Sequence, residues 1–415
     1  MSATTKVPLS SVVTKTTGGG TPERDNPEFW NGGIPWASVK DFKDGIYRLS
    51  KTKEEISEKG LKRSASHLIP AGTPIVCTRM AVGRIARASV PVAINQDLRA
   101  LHIRDEFDTD YVVWAVDSIR HRIENLAIGS TVKGISIDQL LSFEIEAPPK
   151  PEQTKIAEIL STVGRAIEQT EALIAKQQRL KTGLMQDLLT RGIDEHGNLR
   201  SERTHKFKDS SLGRIPVEWE AGTLGQMAEF LSGYAFKNHE LTEHGWRVVR
   251  ISNLHKPDFP YWHYQGPVRD SWVIRSGDIL FSWAGVASSI DCVRYEGEDA
   301  LLNQHIYNFK FADELTKSFV YLFLQYYLPI LRTEIEGGAG QLHLTKDKIQ
   351  SIRIPNIPTL EMEAIVSALE GVENSLASYS RQLSKAKVLK TALMQDLLTG
   401  RMRVTTLLDG KEDCA

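Results

Sequence analysis

The chain has 415 residues, of which 41% are apolar and 25% are charged, and its formal net charge is −1. This length indicates two or three globular domains, and the near-zero net charge excludes a general attraction to nucleic acid, although a local one remains open. No apolar run approaches the ~18 residues of a membrane span, the start has no signal-peptide core, and the three cysteines have no CxxC spacing, so we expect a cytoplasmic protein with no membrane partner, disulfide frame or zinc site.

Residues 1–150 are predicted to form a mixed α/β domain. A strand is expected at Ile34–Phe42, a turn leading into a buried strand at Ile69–Thr78, and a helix over Asp108–Asn125, where apolar residues recur at helical spacing. The segment from Lys59 to Arg104 carries eight basic residues against one acidic residue. The domain therefore has a local positive excess that the whole chain lacks.

Basic residues of this domain are candidate contacts to DNA phosphates, which proteins bind mostly through Arg and Lys. A solvated surface explains any single one of them at least as well, so the prediction depends on the group. The candidates are Lys40, Arg79, Arg84 and Arg87.

The rest of the chain alternates long helices with a second domain. The predicted segments are a first spacer helix at 151–191, a polar linker at 192–206, a second mixed α/β domain at 207–358, a second spacer helix at 359–402 and a tail at 403–415. Within the second domain, strands are expected at Arg247–Leu254 and Ser276–Trp283, and an Asn-Gln pair at Asn303 follows them, as a pair at Asn95 does in the first domain. The second domain thus repeats the order of the first.

The internal repeat is strongest at the ends of the two long helices. Leu180–Thr190 (LKTGLMQDLLT) returns as Leu389–Thr399 (LKTALMQDLLT), with ten of eleven residues identical. Counting back from both copies, apolar residues recur in alternating steps of four and three, which is the heptad pattern of helices that pack lengthwise. Because the chain runs domain, helix, domain, helix without a long return segment, antiparallel packing is the simplest arrangement.

We therefore predict an α+β fold with pseudo-two-fold symmetry, in which two similar mixed α/β domains are separated by two long antiparallel coiled-coil helices. The helices are expected to pair through the apolar positions that the repeat shares. These positions are Ile156, Leu160, Val163, Ile167, Ile174 and Leu184 in the first helix and Ile365, Leu369, Val372, Leu376, Leu383 and Leu393 in the second.

The second domain interleaves polar and aromatic residues in a way that suits contact with bases. Amide and basic groups bond base edges, and aromatic rings stack or wedge between bases, although an aromatic cluster is also typical of a core. Two glycine-rich loops at equivalent places, 129–134 and 337–343, would allow close approach to a groove, and ordinary turns explain the glycines as well. The candidates are Arg250, Asn253, Lys256, Tyr261, Trp262 and Tyr264, with Lys133, Gln341 and His343 from the loops.

No motif supports a catalytic or metal site. The tetrad Asn26–Phe29 (NPEF) lacks the second proline of the adenine methyltransferase motif and follows no glycine-rich cofactor loop. His239 and His244 stand five residues apart, which turns them about 140° away from each other on a helix, whereas zinc-protease histidines stand four apart and nearly align. Cys77 and Cys292 are best explained as buried small apolar groups.

Several segments together resemble the DNA-specificity (S) subunits of type I restriction-modification enzymes. The resemblance covers nearly the whole chain and is carried by LKTGLMQDLLTRGI and LKTALMQDLLTGRM, by PPKPEQTKIAEIL and IPTLEMEAIVSAL at the helix starts, and by KFKDSSLGRIPVEW before the second domain. One departure is that Met362 stands where the family has glutamine.

The resemblance implies that each domain is a target-recognition domain that reads one part of a split double-stranded DNA site. It also implies that the paired helices set the gap between the parts and dock DNA methyltransferase subunits, which recruit restriction and motor subunits. The chain itself is then non-catalytic and holds no cofactor, and S-adenosylmethionine, ATP and magnesium are expected on the partner subunits.

Two other classes of function remain open from the sequence. A stand-alone DNA-modifying enzyme would need a cofactor loop or a cluster of metal-binding carboxylates, and neither is evident. A coiled-coil interaction protein without a DNA role would explain the long helices, but it would not account for two similar domains of about 150 residues.

Overall fold

We describe a computed structural model of the chain, in which the structure describes residues 5–127, 134–256, 258–335 and 342–408. Two long helices, Lys150–Thr190 and Thr359–Leu398, run through it. The chain divides into two compact units, one formed by Met1–Ala172 with Arg381–Ala415 and the other by Leu173–Ser380. Each unit therefore contains one globular domain, the start of one long helix and the end of the other.

The domain of the first unit contains two sheets. The five-stranded sheet has the order Val13–Gly18, Leu98–Ile103, Pro74–Cys77, Ile85–Ala88 and Arg48–Leu49, and the four-stranded sheet has the order Glu54–Ile56, Trp30–Ala37, Val92–Ile94 and Leu68–Ile69. Strand Thr5–Pro8 pairs with strand Glu144–Ala147, so the domain begins and ends on neighbouring strands. Its helices among the described residues are Leu9–Val12, Glu58–Lys62, Thr109–Ser118, Arg120–Leu126 and Ile137–Leu141, with Thr405–Leu408 after the second long helix.

The domain of the second unit also contains two sheets. The four-stranded sheet has the order Glu229–Ser232, Ile306–Lys310, Ile279–Ser282 and Asp291–Arg294, and the five-stranded sheet has the order Leu241–Thr242, Trp262–Tyr264, Trp246–Val249, Ala300–Leu302 and Val273–Ile274. Further strand pairs are Phe207–Ser210 with Gly213–Pro216, Glu220–Thr223 with Arg353–Asn356, and Ala284–Gly285 with Leu342–His343. The helices described in this domain are Leu224–Met227, Ile251–His255, Glu314–Ile335 and Lys346–Gln350.

The two domains share one topology. The first four strands of the five-stranded sheet in the first unit match the four-stranded sheet of the second unit in order and direction. The domains also share an equivalent parallel strand pair, Trp30–Ala37 with Val92–Ile94 and Trp246–Val249 with Ala300–Leu302. The repeat seen at the helix ends therefore extends through both folds.

Two strands end earlier than the sequence indicates, and one helix is interrupted. The strand expected over Ile34–Phe42 stops at Ala37, and the strand expected over Arg247–Leu254 stops at Val249. In both places a polar side chain turns the backbone: an Asp41 carboxylate oxygen accepts a hydrogen bond from the backbone N–H of Ser38 at 2.8 Å, and Asn253 Oδ1 accepts one from Arg250 at 3.1 Å. The helix expected over Asp108–Asn125 is broken at Ile119. Periodicity gives the face of an element, whereas such local hydrogen bonds end it.

Both cysteines that the structure describes are buried, as predicted. Burial raises the pKa of the Cys77 thiol to about 12 and also raises the pKa of Cys292, so both thiols stay protonated at neutral pH and act as small apolar groups. Among the described residues, no helix combines the length and the apolarity that crossing a membrane requires.

Candidate nucleic-acid interface

The long helices pair in antiparallel directions inside each unit. In the first unit, Ile156 and Leu160 near the start of one helix share a core with Leu397 near the end of the other, and Lys387 Nζ lies 2.7 Å from a Glu171 carboxylate oxygen. The predicted pairing positions are all withdrawn from solvent. Ile156, Leu160, Ile167, Ile365 and Leu369 are buried, and Val163, Ile174, Leu184, Val372, Leu376, Leu383 and Leu393 are half-buried.

The second unit repeats this pairing with the other two helix halves. Leu188 at the end of the first helix packs in one core with Ile365 and Leu369 at the start of the second. Lys181 Nζ lies 2.6 Å from a Glu373 carboxylate oxygen. Leu180 and Leu389, which are equivalent in the repeat and are not among the predicted pairing positions, are about half exposed, because the last turns of each helix dock onto a domain core and no longer follow the heptad face.

A buried glutamate anchors the start of each long helix. Glu152 and Glu361 occupy equivalent positions of the repeat and are only 2% and 8% exposed. Glu152 accepts hydrogen bonds from the Arg403 guanidinium at 2.6 and 2.5 Å and from the backbone N–H of Val404 at 3.2 Å. Each unit thus ties the start of one helix to the segment that follows the end of the other.

The second anchor is more completely enclosed. Glu361 forms a two-pronged ion pair with the buried Arg200 guanidinium, and its oxygens accept hydrogen bonds from the indole N–H of Trp219 at 3.0 Å and the backbone N–H of Ile193 at 2.9 Å. Gly192 closes this site with a φ of +64°, and a Cβ atom there would lie 2.1 Å from a Glu361 oxygen. The segment interpreted as a polar linker, 192–206, is therefore held in place at Ile193 and Arg200.

The first anchor predicts a pH dependence. The Arg403 guanidinium, and then the Val404 N–H, hold the pKa of Glu152 below its ordinary value of 4.5 against the opposing effect of burial. A carboxylate with a lowered folded-state pKa contributes stability that is complete above its unfolded-state pKa and is lost as the pH falls through the folded value. We expect the anchor to weaken below about pH 4.5.

This prediction is checked by following thermal unfolding of the chain from pH 7 to pH 3. The Glu152→Gln variant is expected to be less stable at pH 7 and to lose less stability than the unchanged protein on acidification. Glu158→Gln changes an exposed glutamate of the same helix and serves as the control. Parallel pH profiles for the Glu152→Gln variant and the unchanged protein would contradict the anchor's role.

The departure at Met362 also has a structural reason. The equivalent residue, Gln153, is buried, and its amide bonds the backbone N–H of Asp108 at 2.9 Å and the carbonyl of Pro148 at 2.8 Å. Met362 is buried in the apolar core of the second unit instead. The same position is thus a hydrogen-bonding residue in one copy and a packing residue in the other.

Equivalent loops come together at one edge of each domain. In the first unit, the hairpin turn at residues 78–84, here called the first tip, lies beside the Asn95-Gln96 turn, since the backbone N–H of Thr78 donates to Asp97 at 2.8 Å. Arg79 forms a strand bridge with Gly134, at the end of a glycine-rich loop. Lys133, the candidate that precedes Gly134 in the sequence, lies outside the described residues, so its predicted contact remains a prediction.

The second unit builds the same cluster. Its turn at residues 283–290, here called the second tip, pairs Ala284 with His343 and Gly285 with Leu342. The backbone N–H of Trp283 donates to the carbonyl of His305, next to the Asn303-Gln304 pair, at 3.3 Å. Gln341 and the side chain of His343 lie outside the described residues, so their predicted contacts remain predictions.

Among the residues that the structure describes, four of the eight basic residues in the positive segment of the first domain are paired with carboxylates from outside that segment. Arg84 lies 3.0 Å from Asp44, and Arg87 lies 3.1 Å from Asp110. These two arginines therefore hold the domain together and are less available to phosphates than the sequence indicates. Lys40 is exposed. The Arg79 side chain is 59% exposed, and within the described part of the chain its ion pair is a long contact of 3.9 Å to Asp97.

The predicted cluster of the second domain divides into two groups. Asn253 and Tyr264 are buried: the Asn253 amide donates to the carbonyl of Phe259 at 2.8 Å, and Tyr264 packs against Phe236. Both residues therefore have structural roles in place of the predicted base contacts. The Arg250 guanidinium lies 4.2 Å from the centre of the Trp262 ring, and burial lowers its pKa. Tyr261 is half-buried and Lys256 is exposed.

The segments that resembled catalytic motifs have structural roles. Asn26 Oδ1 accepts a hydrogen bond from the backbone N–H of Glu28 at 3.1 Å and caps a single helical turn. His239 lies in the short turn Asn238–Glu240, in which Glu240 accepts a hydrogen bond from the hydroxyl of Tyr234 at 3.0 Å. Among the described residues, no three His, Cys, Asp or Glu side chains are grouped so that they could hold a metal ion.

Comparison with known proteins gives a consistent result. A family model for the type I restriction modification DNA specificity domain matches residues 1–177 and 216–386. The specificity subunit of the type I restriction enzyme MjaVIII from Methanocaldococcus jannaschii is 27% identical over 279 residues, which are 64% of this chain and 64% of the relative. The MjaIX specificity subunit of the same organism is 23% identical over 408 residues, which are 94% of this chain and 91% of the relative. The chain spans just under two thirds of the MjaVIII and putative MjaX specificity subunits, 64% and 62%.

Solved structures show the same fold. An S subunit of a type I restriction-modification system from M. genitalium matches with a TM-score of 0.66 at 19% identity, over 95% of this chain and 96% of that chain. A chain from a study of complex assembly and conformational transition of the type I R-M system matches with a TM-score of 0.53 at 16% identity, over 95% of this chain and 97% of that chain. The predicted fold class, with two similar mixed domains and two long helices, is confirmed.

Proposed function

Because the chain belongs to the family of type I restriction-modification DNA specificity subunits, we propose that it recognises a split DNA sequence, with each domain reading one part. The observation that carries this proposal is the repeated loop cluster. The same tip, Asn-Gln turn and glycine-loop end meet at one edge of both domains. Two copies of one reading surface on one chain fit a target made of two separate parts.

In this proposal the paired helices set the gap between the two parts and dock DNA methyltransferase subunits, which in turn recruit restriction and motor subunits. S-adenosylmethionine then belongs to the methyltransferase subunits, and ATP and magnesium belong to the motor subunits. The chain contributes recognition and no catalytic group, and it acts on DNA in the cytoplasm. Its net charge of −1 and the internal pairing of Arg84 and Arg87 favour weak binding alone, because phosphate contacts supply most non-specific affinity.

The test is competition binding by the chain reconstituted with its methyltransferase subunits, on genomic fragments that contain the methylated site. We expect loss of binding when either of two short sequences is scrambled and unchanged binding when the bases between them are scrambled. One continuous recognition sequence would contradict the proposal. DNA methylation by the purified chain alone would favour the enzyme alternative, and a complex without sequence preference would favour the coiled-coil alternative.

The role of the helices predicts a change in the gap when they are lengthened together. One heptad is inserted between Ala172 and Leu173 and one between Ser380 and Arg381, where the compact units divide, so that each unit stays intact. Seven residues add about 10 Å of helix, which corresponds to about three base pairs of duplex. We expect the mapped recognition site to keep both sequence parts and to widen its gap by two to three base pairs.

A matched control replaces the heptads next to these positions with the inserted sequence and leaves the helix length unchanged. This control should retain the original gap. If the lengthened variant methylates the same sites with the same gap as the unchanged protein, the helices do not measure the spacing.

A further inference from the structure

The first tip holds a methionine in a backbone conformation that favours glycine. Among the described residues, two non-glycine residues have positive φ angles, Asn31 at 58° and Met80 at 63°. Asparagine adopts this left-handed region readily because its short polar side chain bonds locally, whereas methionine gains no such compensation. Met80 therefore occupies an unfavourable conformation that the surrounding hairpin imposes.

The second unit has a glycine at the position equivalent to Met80. Gly134 and His343 are equivalent in the repeat, and they pair with Arg79 and Ala284. The residues that follow, Met80 and Gly285, are therefore equivalent, and Gly285 has a φ of +114°. Glycine adopts this backbone conformation without strain in the second copy. The geometry of the turn therefore does not explain why the first copy has a methionine.

Packing does not supply that reason. Met80 is 64% exposed, whereas Val82, in the same turn, is 2% exposed and forms the apolar anchor of the hairpin. The second tip repeats this arrangement with Ala287 buried and Val286 56% exposed. In both units an apolar side chain is thus presented to solvent at the tip, beside the turn that carries the Asn-Gln pair.

The surroundings of Met80 fit a nucleic acid. Arg79 precedes Met80 and is largely exposed, and the one ion pair that it forms with the described residues is a long contact of 3.9 Å to Asp97. Its guanidinium can therefore reach a phosphate next to the position that Met80 reaches. Gln96, on the neighbouring turn, is exposed and accepts a hydrogen bond from Thr21 at 2.6 Å. Proteins that insert an apolar wedge between stacked bases also contact the minor groove through Arg, Lys, Asn and Gln side chains. The exposed Met80 side chain, with Arg79 and Gln96 beside it, fits this pattern.

We propose that Met80 is a wedge that enters a base step in the part of the DNA site read by the first domain, with Arg79 bound to an adjacent phosphate. The proposal rests on the proposed DNA-recognition function and adds the residue that distorts the duplex. The unbranched and polarizable methionine side chain suits insertion between bases. Strain in the free protein is a common property of residues whose conformation is set for binding. Val286, which follows the equivalent residue Gly285, is the exposed apolar side chain of the second tip and has a shorter reach.

The test compares variants of Met80 in the chain assembled with its methyltransferase subunits, bound to a duplex that carries the site found methylated in the host. Met80→Leu keeps an apolar side chain. Met80→Gln keeps a side chain of similar length and makes it polar. We expect Met80→Leu to bind nearly as tightly as the unchanged protein and Met80→Gln to bind about tenfold more weakly, since the energy of unstacking is no longer recovered by apolar contact. Permanganate oxidation of unstacked thymines in the first part of the site should disappear in Met80→Gln.

Two controls separate a wedge from a structural residue. Met80→Gly removes the strain, so its melting temperature should be at least that of the unchanged protein while DNA binding weakens. Val90→Gln changes an exposed apolar residue at the opposite end of strand Ile85–Ala88 and should leave binding unchanged. Equal affinity of Met80→Gln and the unchanged protein, or a lower melting temperature for Met80→Gly, would overturn the wedge.

The outcomes for the wedge and for the proposed function are distinct. If the unchanged complex prefers the split site and Met80→Gln binds it equally well, only the wedge is lost. If the unchanged complex itself has no preference for the split site, the proposed function fails, and the wedge fails with it.

Discussion

Replacing Glu361 with glutamine is expected to destabilise the second compact unit by about 3 kcal/mol, because the change leaves a buried guanidinium without its counter-charge. Arg200 is buried against Glu361, and its other acidic neighbour, Glu218, lies 3.9 Å away and is half exposed. The same change weakens the hydrogen bonds that the carboxylate accepts from Trp219 and Ile193. One substitution therefore disturbs the helix start, the connector and the domain at once.

Hydrogen exchange measured on the full chain is the suitable readout, since a two-unit protein need not unfold in one step. Backbone amides of residues 190–200 and of the start of helix Thr359–Leu398 should exchange faster. The increase in their exchange rate should correspond to the lost free energy of unfolding. Glu363→Gln, an exposed change two residues further along the same helix, is the control and should leave exchange unaltered. Exchange as slow in Glu361→Gln as in Glu363→Gln would show that the anchor contributes nothing to this unit.

The sequence predicted the repeat and the helix pairing because both follow from apolar periodicity. Ile156 and Leu160 in the first helix, and Ile365 and Leu369 in the second, are buried as expected. Periodicity identifies a face, but it does not identify the partner of that face. The final turns of both helices carry the same apolar repeat, yet they pack into domain cores and leave Leu180 and Leu389 about half exposed.

The candidate site was harder to predict, because the charge near a residue depends on distant parts of the chain. Asp44 and Asp110 lie outside the positive segment in sequence, yet they pair with Arg84 and Arg87. A methionine at position 80 does not indicate a functional site in the sequence. Its positive φ angle, which only the structure shows, distinguishes it.

The anchoring glutamates were also missed, although the repeat aligns Glu152 with Glu361. Their identity at one offset was available from the sequence. Their partners, Arg403 and Arg200, do not occupy equivalent positions of the repeat. The ion pairs could therefore be recognised only in three dimensions.

Exchange of one domain is expected to have the largest effect on function, since it should replace one part of the recognised sequence completely. The structure indicates where to cut. The second domain begins and ends on the paired strands Glu220–Thr223 and Arg353–Asn356, so a graft of residues 220–356 from another specificity subunit keeps that pair together. Trp219 and Glu361 stay outside the graft, which leaves the second anchor intact.

The reciprocal graft uses the first domain in the same way. Strands Thr5–Pro8 and Glu144–Ala147 pair with each other, so residues 5–147 can be exchanged while Glu152 and its partner Arg403 are retained. Each graft is the control for the other, because both disturb the chain to a similar extent and differ in the part of the DNA site that they should alter.

The decisive measurement is a genome-wide map of methylated adenines in cells that carry the complete system with the unchanged chain, with the first graft or with the second. For the unchanged chain we expect a motif of two short sequences at a fixed gap. The graft of residues 5–147 should replace one of these sequences and the graft of residues 220–356 the other, with the gap preserved. A single graft that changes both sequences, or a motif without two separable parts, would contradict recognition by two independent domains.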